Sequence, residues 1–139
     1  MVKILRVCYV HDAGKIVNPL LATANLHGAL AQGIGGSMYE EIAYDEIGQL
    51  RTTTFMDYTL PTAVELPQFE ISHHETPSPF TPLGTKGVGE SGIGGTMSAL
   101  SSAIENALQP LDVWFSRLPL RPDRVWKQVQ TARAKVDRA

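Results

Sequence analysis

The residue pattern predicts an α+β fold, in which strands and a hairpin pack with about three helices. Three observations lead there. Short alternating apolar segments are mixed with longer stretches of helical period, without the regular strand–helix alternation of a parallel α/β sheet. The 139 residues are 43% hydrophobic and 19% charged, enough to bury the core of one globular domain spanning 1–139. One segment, 76–95, fits neither helix nor strand and reads as a long loop that the other elements support.

Residues 3–10 (Lys-Ile-Leu-Arg-Val-Cys-Tyr-Val) read as a strand that ends in the turn chemistry of His11-Asp12-Ala13-Gly14. Asn18-Pro19 then gives an N-cap followed by proline at the first helical position. The helix is expected to run to about Glu40, with Leu20, Leu21, Ala24, Leu30, Ile34 and Met38 on its apolar face. Gly28, Gly33, Gly35 and Gly36 fall inside it, and each costs about 1 kcal/mol relative to alanine. Such a helix must let another backbone or a ligand come close, and Gln32 stands beside the thinned patch.

Residues 41–45 and 49–57 suggest a hairpin turning at Gly48, and 68–74 a further strand. A helix from about Thr96 to Leu108 carries the stripe Met97, Leu100, Ile104 and Leu108. Residues 111–118 suggest a short edge strand. Pro122 opens a last helix with Val125, Trp126, Val129 and Val136 on one face and a basic face opposite.

In the loop, Pro77, Pro79 and Pro82 exclude helix and interior strand, and six of the chain's twelve glycines follow between 84 and 95. Glycine at this density marks a backbone that passes close to something, with Glu90 the one carboxylate in its middle. Gly87-Val-Gly89-Glu-Ser-Gly92 matches G-x-G-x-x-G, yet a proline-rich loop precedes it instead of a strand, and Glu90 would repel a pyrophosphate. Lys86-Gly87 excludes a Walker A loop. Two readings stand: a tight turn that caps the next helix, or a loop whose free N–H groups meet an anionic or polar ligand. The facing glycine-thinned helix favours the ligand. Flanked by glycine and apolar residues, Glu90 is expected to be desolvated toward the proton affinity of a general base.

The other residue types bound the function. A net charge of −2 gives no footprint for nucleic acid or a membrane surface, and no apolar run approaches a bilayer span. Cys8, the one cysteine, is expected in the core, as is Trp126. The four histidines lack ligand spacing, since His73 and His74 point to opposite strand faces, so no metal held by this chain is expected. The first residues lack the apolar core of a signal peptide, and a cytoplasmic setting follows as the expectation.

Taken in order, the motifs resemble a known family. They are Asp12-Ala-Gly-Lys-Ile-Val-Asn-Pro19, His27-Gly28, Gln32-Gly-Ile-Gly35, Tyr39-Glu-Glu41, Phe55-Met-Asp-Tyr-Thr-Leu-Pro-Thr62, Glu75-Thr-Pro-Ser-Pro79, Pro82-Leu-Gly-Thr-Lys-Gly-Val-Gly-Glu-Ser91 and Pro119-Leu-Arg-Pro122. Together they look like the C-terminal end of the large, molybdenum-cofactor-binding subunit of the molybdenum hydroxylases. That family includes xanthine dehydrogenase, aldehyde oxidase and aerobic carbon monoxide dehydrogenase. The resemblance covers about residues 5–130.

It implies that Glu90 is the active-site base beside molybdenum, in an oxidative hydroxylation that takes its oxygen from water. It assigns contact with the pterin cofactor to Gln32 and Gly33, and places Lys86, Gly87, Val88 and Gly89 along the same site. It also implies a molybdenum-pterin cofactor shared with domains this chain lacks, the cytosine dinucleotide form being one candidate. Implied partners are the remainder of the subunit and iron–sulfur and flavin subunits. Alone, the chain is expected to be inactive. The rival readings are a free-standing module for a phosphate or nucleotide ligand, and a truncated, self-associating remnant.

Overall fold

The computed structural model describes residues 2–136 and orders them as β1 (Val7–His11), α1 (Pro19–Met38), β2 (Phe69–His73), α2 (Ile93–Ala107) and α3 (Pro122–Val136), with a 3₁₀ turn at Gln109–Leu111. Three helices and two strands bear out the α+β class. The strands pair in parallel, with Val7 opposite Phe69 and His11 opposite His73. A parallel pair needs a crossover, and α1 lies within it.

Helix α1 starts where its cap chemistry dictates. The Asn18 side chain accepts from the Leu21 N–H at 3.1 Å, and Pro19 occupies the first turn. The helix ends at Met38, where the Tyr39 N–H turns back to the Gly35 carbonyl. Its buried stripe is Leu26, Ala29, Leu30, Ile34 and Met38, whereas Leu20, Leu21 and Ala24 are exposed. The N-terminal third of α1 is therefore not packed as expected, and the stripe begins a turn and a half later.

Two of the four glycines of α1, Gly33 and Gly36, serve its packing on α2, whereas Gly35 admits Glu40 and Gly28 faces open space. A Cβ at Gly33 would stand 2.7 Å from the Thr96 Cβ, and one at Gly36 3.0 Å from the Met97 Cε. From the other side, a Cβ at Gly92 would stand 2.8 Å from the Ala29 Cβ. The close partner is a second helix, which resolves that expectation in favour of backbone approach. A second core forms where α2 and α3 meet: Ile104, Leu120 and Val125 are buried there, with Leu100, Leu108, Phe115 and Val129 packed around them.

Several expected features are absent. The hairpin is reduced to one antiparallel bridge, Tyr44 with Leu50. Side chains take the backbone groups that a ladder would use: Asp45 accepts from Ile47 and Gln49 N–H, and Thr52 Oγ accepts from Ala43 N–H while donating to the Glu41 carbonyl. Residues 111–118 form no strand, because Asp112 takes a left-handed conformation after the 3₁₀ turn and the Phe115 N–H donates to the Glu105 carboxylate. Trp126 is 61% exposed, at the flank of α3 instead of its buried face, and Val136 is exposed too.

Cys8 is also exposed. Burial alternates along β1, which turns Tyr9 and His11 inward and Cys8 and Val10 outward. Leu5, Ile47, Met56, Val64 and Phe80 likewise show most of their apolar surface.

Candidate functional site

The 76–95 loop is held at two feet with a free crest between them. At the first foot the end of β1 and the loop exchange backbone bonds, Lys86 N–H to the Ala13 carbonyl at 2.8 Å and Lys15 N–H to the Gly84 carbonyl at 2.9 Å. Gly14 and Gly84 both have positive φ, and a Cβ at Gly14 would overlap the Gly84 carbonyl oxygen.

Asp12 ties this foot together. Its carboxylate accepts from the Gly14 N–H (2.7 Å), the Thr76 N–H (3.2 Å), the Thr76 hydroxyl and the Lys86 ammonium (2.7 Å). Lys86 donates first among the causes that hold Asp12 far below the ordinary carboxylate range, followed by Thr76 and the Gly14 N–H. The Lys86 ammonium is thus engaged with Asp12 and with Thr76 Oγ (2.5 Å).

The second foot is Ser91–Gly92. The Tyr9 hydroxyl, from β1, donates to the Ser91 carbonyl, and Gly92 lies on Ala29 and Leu30 of α1. The Thr96 hydroxyl closes the start of α2 by donating to the Gly92 carbonyl at 2.5 Å.

Between the feet the backbone is bare. The N–H groups of Gly87, Val88, Gly89 and Glu90 meet no acceptor among the described residues. A Cβ at Gly87 or Gly89 would meet nothing within 4 Å. Glu90 is exposed, so this chain does not itself supply the desolvation expected of it. Gln32 is exposed as well, one helical turn from both Ala29 and Gly36, at the border of the α1 stripe that receives Gly92. Gly33, by contrast, is buried under Thr96.

Sequence reasoning did not single out Asp12, Thr76 or Tyr9 as parts of this site. The Asp12 turn was legible as local chemistry, but its bond to Lys86 spans 74 positions and no spacing announces it. The same holds for His11 and His73, which the parallel register places side by side with Nε2 and Nδ1 2.5 Å apart. His11 is 5% exposed. Burial first, and then the neighbouring His73, lower its affinity for a proton. Among the described residues no group of three or more His, Cys, Asp or Glu side chains is placed to hold a metal ion, and no helix is long and apolar enough to cross a membrane.

Comparison with known proteins places most of the chain's length in one family. The family described as a molybdopterin cofactor-binding domain matches residues 1–67. The large subunit of nicotine 6-hydroxylase from Paenarthrobacter nicotinovorans is 43% identical over 89% of the chain, and the gamma subunit of the 6-hydroxypseudooxynicotine dehydrogenase complex of the same organism is 42% identical over 92%. The crystal structure of quinoline 2-oxidoreductase from Pseudomonas putida 86 superposes with a TM-score of 0.86 at 41% identity, covering 88% of this chain and 16% of that one. The chain belongs to the molybdenum hydroxylase family, as the C-terminal portion of the molybdopterin-binding large subunit. It spans 15% of the first of these curated relatives and 16% of the second.

Proposed function

We propose that residues 1–139 are one domain of a molybdenum hydroxylase large subunit and that they contribute its catalytic glutamate loop. Glu90 is the general base. Gln32, Lys86, Gly87, Val88 and Gly89 line the pterin side of the site, and Gly33, buried under Thr96, supports it through the helix contact. The observation that carries this reading is the crest itself: four consecutive unpaired N–H groups and one exposed carboxylate, held between two fixed feet.

The residues present fit such a cofactor. Bare N–H groups in series favour an anionic or strongly polar ligand, and Gly87 and Gly89 leave space for it to reach the backbone. When bound, the molybdenum-pterin group supplies the oxidation by which an aldehyde, N-heterocycle or similar substrate gains oxygen from water.

The chain's own residues divide the remaining work. Asp12 and Thr76 hold the Lys86 ammonium, and the Lys86 N–H is held by the Ala13 carbonyl, so Lys86 fixes the first foot. Gly33 acts by admitting α2, which sets where Gly92 and Glu90 stand. Glu90 holds and releases the proton at its carboxylate oxygens. Enclosure by the other domains of the subunit would remove water from the crest. The exposed Leu5, Met56 and Phe80 supply apolar surface for those domains and for iron–sulfur and flavin partners.

Native purification from the chain's own host tests this directly, by molybdenum per chain and the mass of the complex that carries it. Molybdenum in a complex much larger than 15.1 kDa is expected. A metal-free species of the chain's own mass would overturn the reading and leave a ligand-binding module or a remnant.

A further inference from the structure

Between the end of α1 and the start of α3, three arginines converge on one carboxylate. Glu41, just beyond α1 and only 15% exposed, receives Arg124 Nη2 at 2.9 Å, with Arg117 Nη2 and Arg121 Nη1 each at 3.4 Å. Their satisfaction is unequal. Arg124 is held from both terminal nitrogens, the other donating to the Pro119 carbonyl at 2.6 Å. It fastens the start of α3 beside the end of α1, where the Leu120 N–H also donates to the Ser37 carbonyl.

Arg117 and Arg121 add little to that fastening. Their contacts with Glu41 lie at the long limit for N–H···O, and the remaining one, Arg121 to Asp123, measures 3.5 Å. One carboxylate cannot pair fork-to-fork with three guanidiniums, so most of their donors face water. Arg117 is 74% exposed. Three cations against two carboxylates leave a positive excess on a chain whose net charge is −2. The first turn of α3 adds its own positive end at the same place.

We propose that Arg117 and Arg121 form a docking point for an acidic segment of a partner polypeptide, whose carboxylates complete the forks that Glu41 leaves open. A protein segment suits the site better than a small anion because the two side chains are 74% and 40% exposed, too open to enclose a small ion. Arginine is enriched at protein interfaces for this planar pairing.

The test uses the 139-residue chain at low salt, titrated with a labelled peptide of alternating glutamate and alanine and, separately, with inorganic phosphate. The double variant Arg117→Ala/Arg121→Ala is expected to weaken peptide binding by about tenfold, the combined worth of two exposed charge pairs. Its thermal unfolding should match the parent, because Arg124 and Glu41 are kept. The control Arg133→Ala/Lys135→Ala removes the same charge in the last turn of α3, roughly 14 Å or more along the helix from Arg124. It should leave binding within twofold. Equal losses in both variants would reduce the effect to net charge and overturn the proposal. Phosphate binding tighter than the peptide would overturn it in favour of a small-oxyanion site. Because no molybdenum is involved, failure here leaves the assignment of Glu90 untouched.

Discussion

Glycine does opposite work in the two regions that meet at residue 92. In the α1–α2 contact, Gly33 and Gly92 are places where a side chain would strike a neighbour, at 2.7 Å and 2.8 Å. On the crest, Gly87 and Gly89 have nothing within 4 Å. A crowded glycine is explained by the fold that crowds it. An uncrowded one, in a loop fixed at both ends, has no packing role inside the chain. The contrast separates glycines that the fold requires from glycines that it leaves open.

The largest effect should come from the crest and spare the fold. Glu90→Gln is expected to lower kcat of the assembled enzyme by a factor of about 10² to 10⁴, the range for removing a general base, or to abolish turnover. Complex mass and molybdenum content should not change. Unimpaired turnover would remove Glu90 from the chemistry and leave its exposure unexplained.

At the first foot the expectation reverses. Gly14→Ala imposes positive φ on a residue with a Cβ and drives that Cβ into the Gly84 carbonyl. A loss of at least about 2 kcal/mol follows, or a fall of roughly 8 °C in Tm. Activity should fall only as far as the loop is displaced. Gly33→Ala tests the helix contact in the same way. Its methyl group meets the Thr96 Cβ, which must give way, at a cost of about 1–3 kcal/mol for overpacking. Wild-type stability in either variant would show that the crowded class has been drawn too widely.

Legibility in the sequence follows the same division between local and long-range causes. The start of α1 was readable because Asn18 and Pro19 act within one turn, and the α2 stripe because its period repeats over four positions. The hairpin failed because Asp45 and Thr52 satisfy the backbone locally, a competition that alternation of residue types does not display. Cys8 was misplaced because a strand with one buried face looks apolar on both when cysteine and valine stand outward. The glycine loop and Glu90 could be singled out by composition alone. Its feet could not, since Asp12 to Lys86 and Tyr9 to Ser91 are contacts made only by the folded chain.

Two groups respond to acid, Asp12 at the first foot and His11 on β1. Asp12 is held far below its ordinary value, so its contribution to the Lys86 foot is complete well above about pH 3.9 and is lost progressively as the pH falls through and below that value. His11 responds in the same sense but at higher pH. Its buried imidazole is kept neutral in the fold, and the unfolded chain binds the proton more readily. Stability is therefore complete above about pH 6.5 and declines below it, until the pH passes the lowered native value. Denaturant melts between pH 7.5 and 5 should show this slope, and His11→Asn should flatten it. A slope unchanged in that variant would move the effect to another histidine.

The smallest change in stability belongs to the open glycines, and it is the sharpest check on the comparison. Gly87→Ala and Gly89→Ala place a methyl group in free space, on backbone without positive φ. Unfolding free energies should stay within about 0.5 kcal/mol of the parent, as for ordinary surface substitutions. If a cofactor lies against the crest, the same methyl groups intrude on it, and molybdenum content or kcat/KM of the assembled enzyme should fall while the chain remains fully folded. Loss of stability without loss of cofactor would place both residues with Gly33 and Gly92 as builders of the fold. Loss of cofactor at unchanged stability would identify the crest as the surface that this domain presents to the rest of its enzyme.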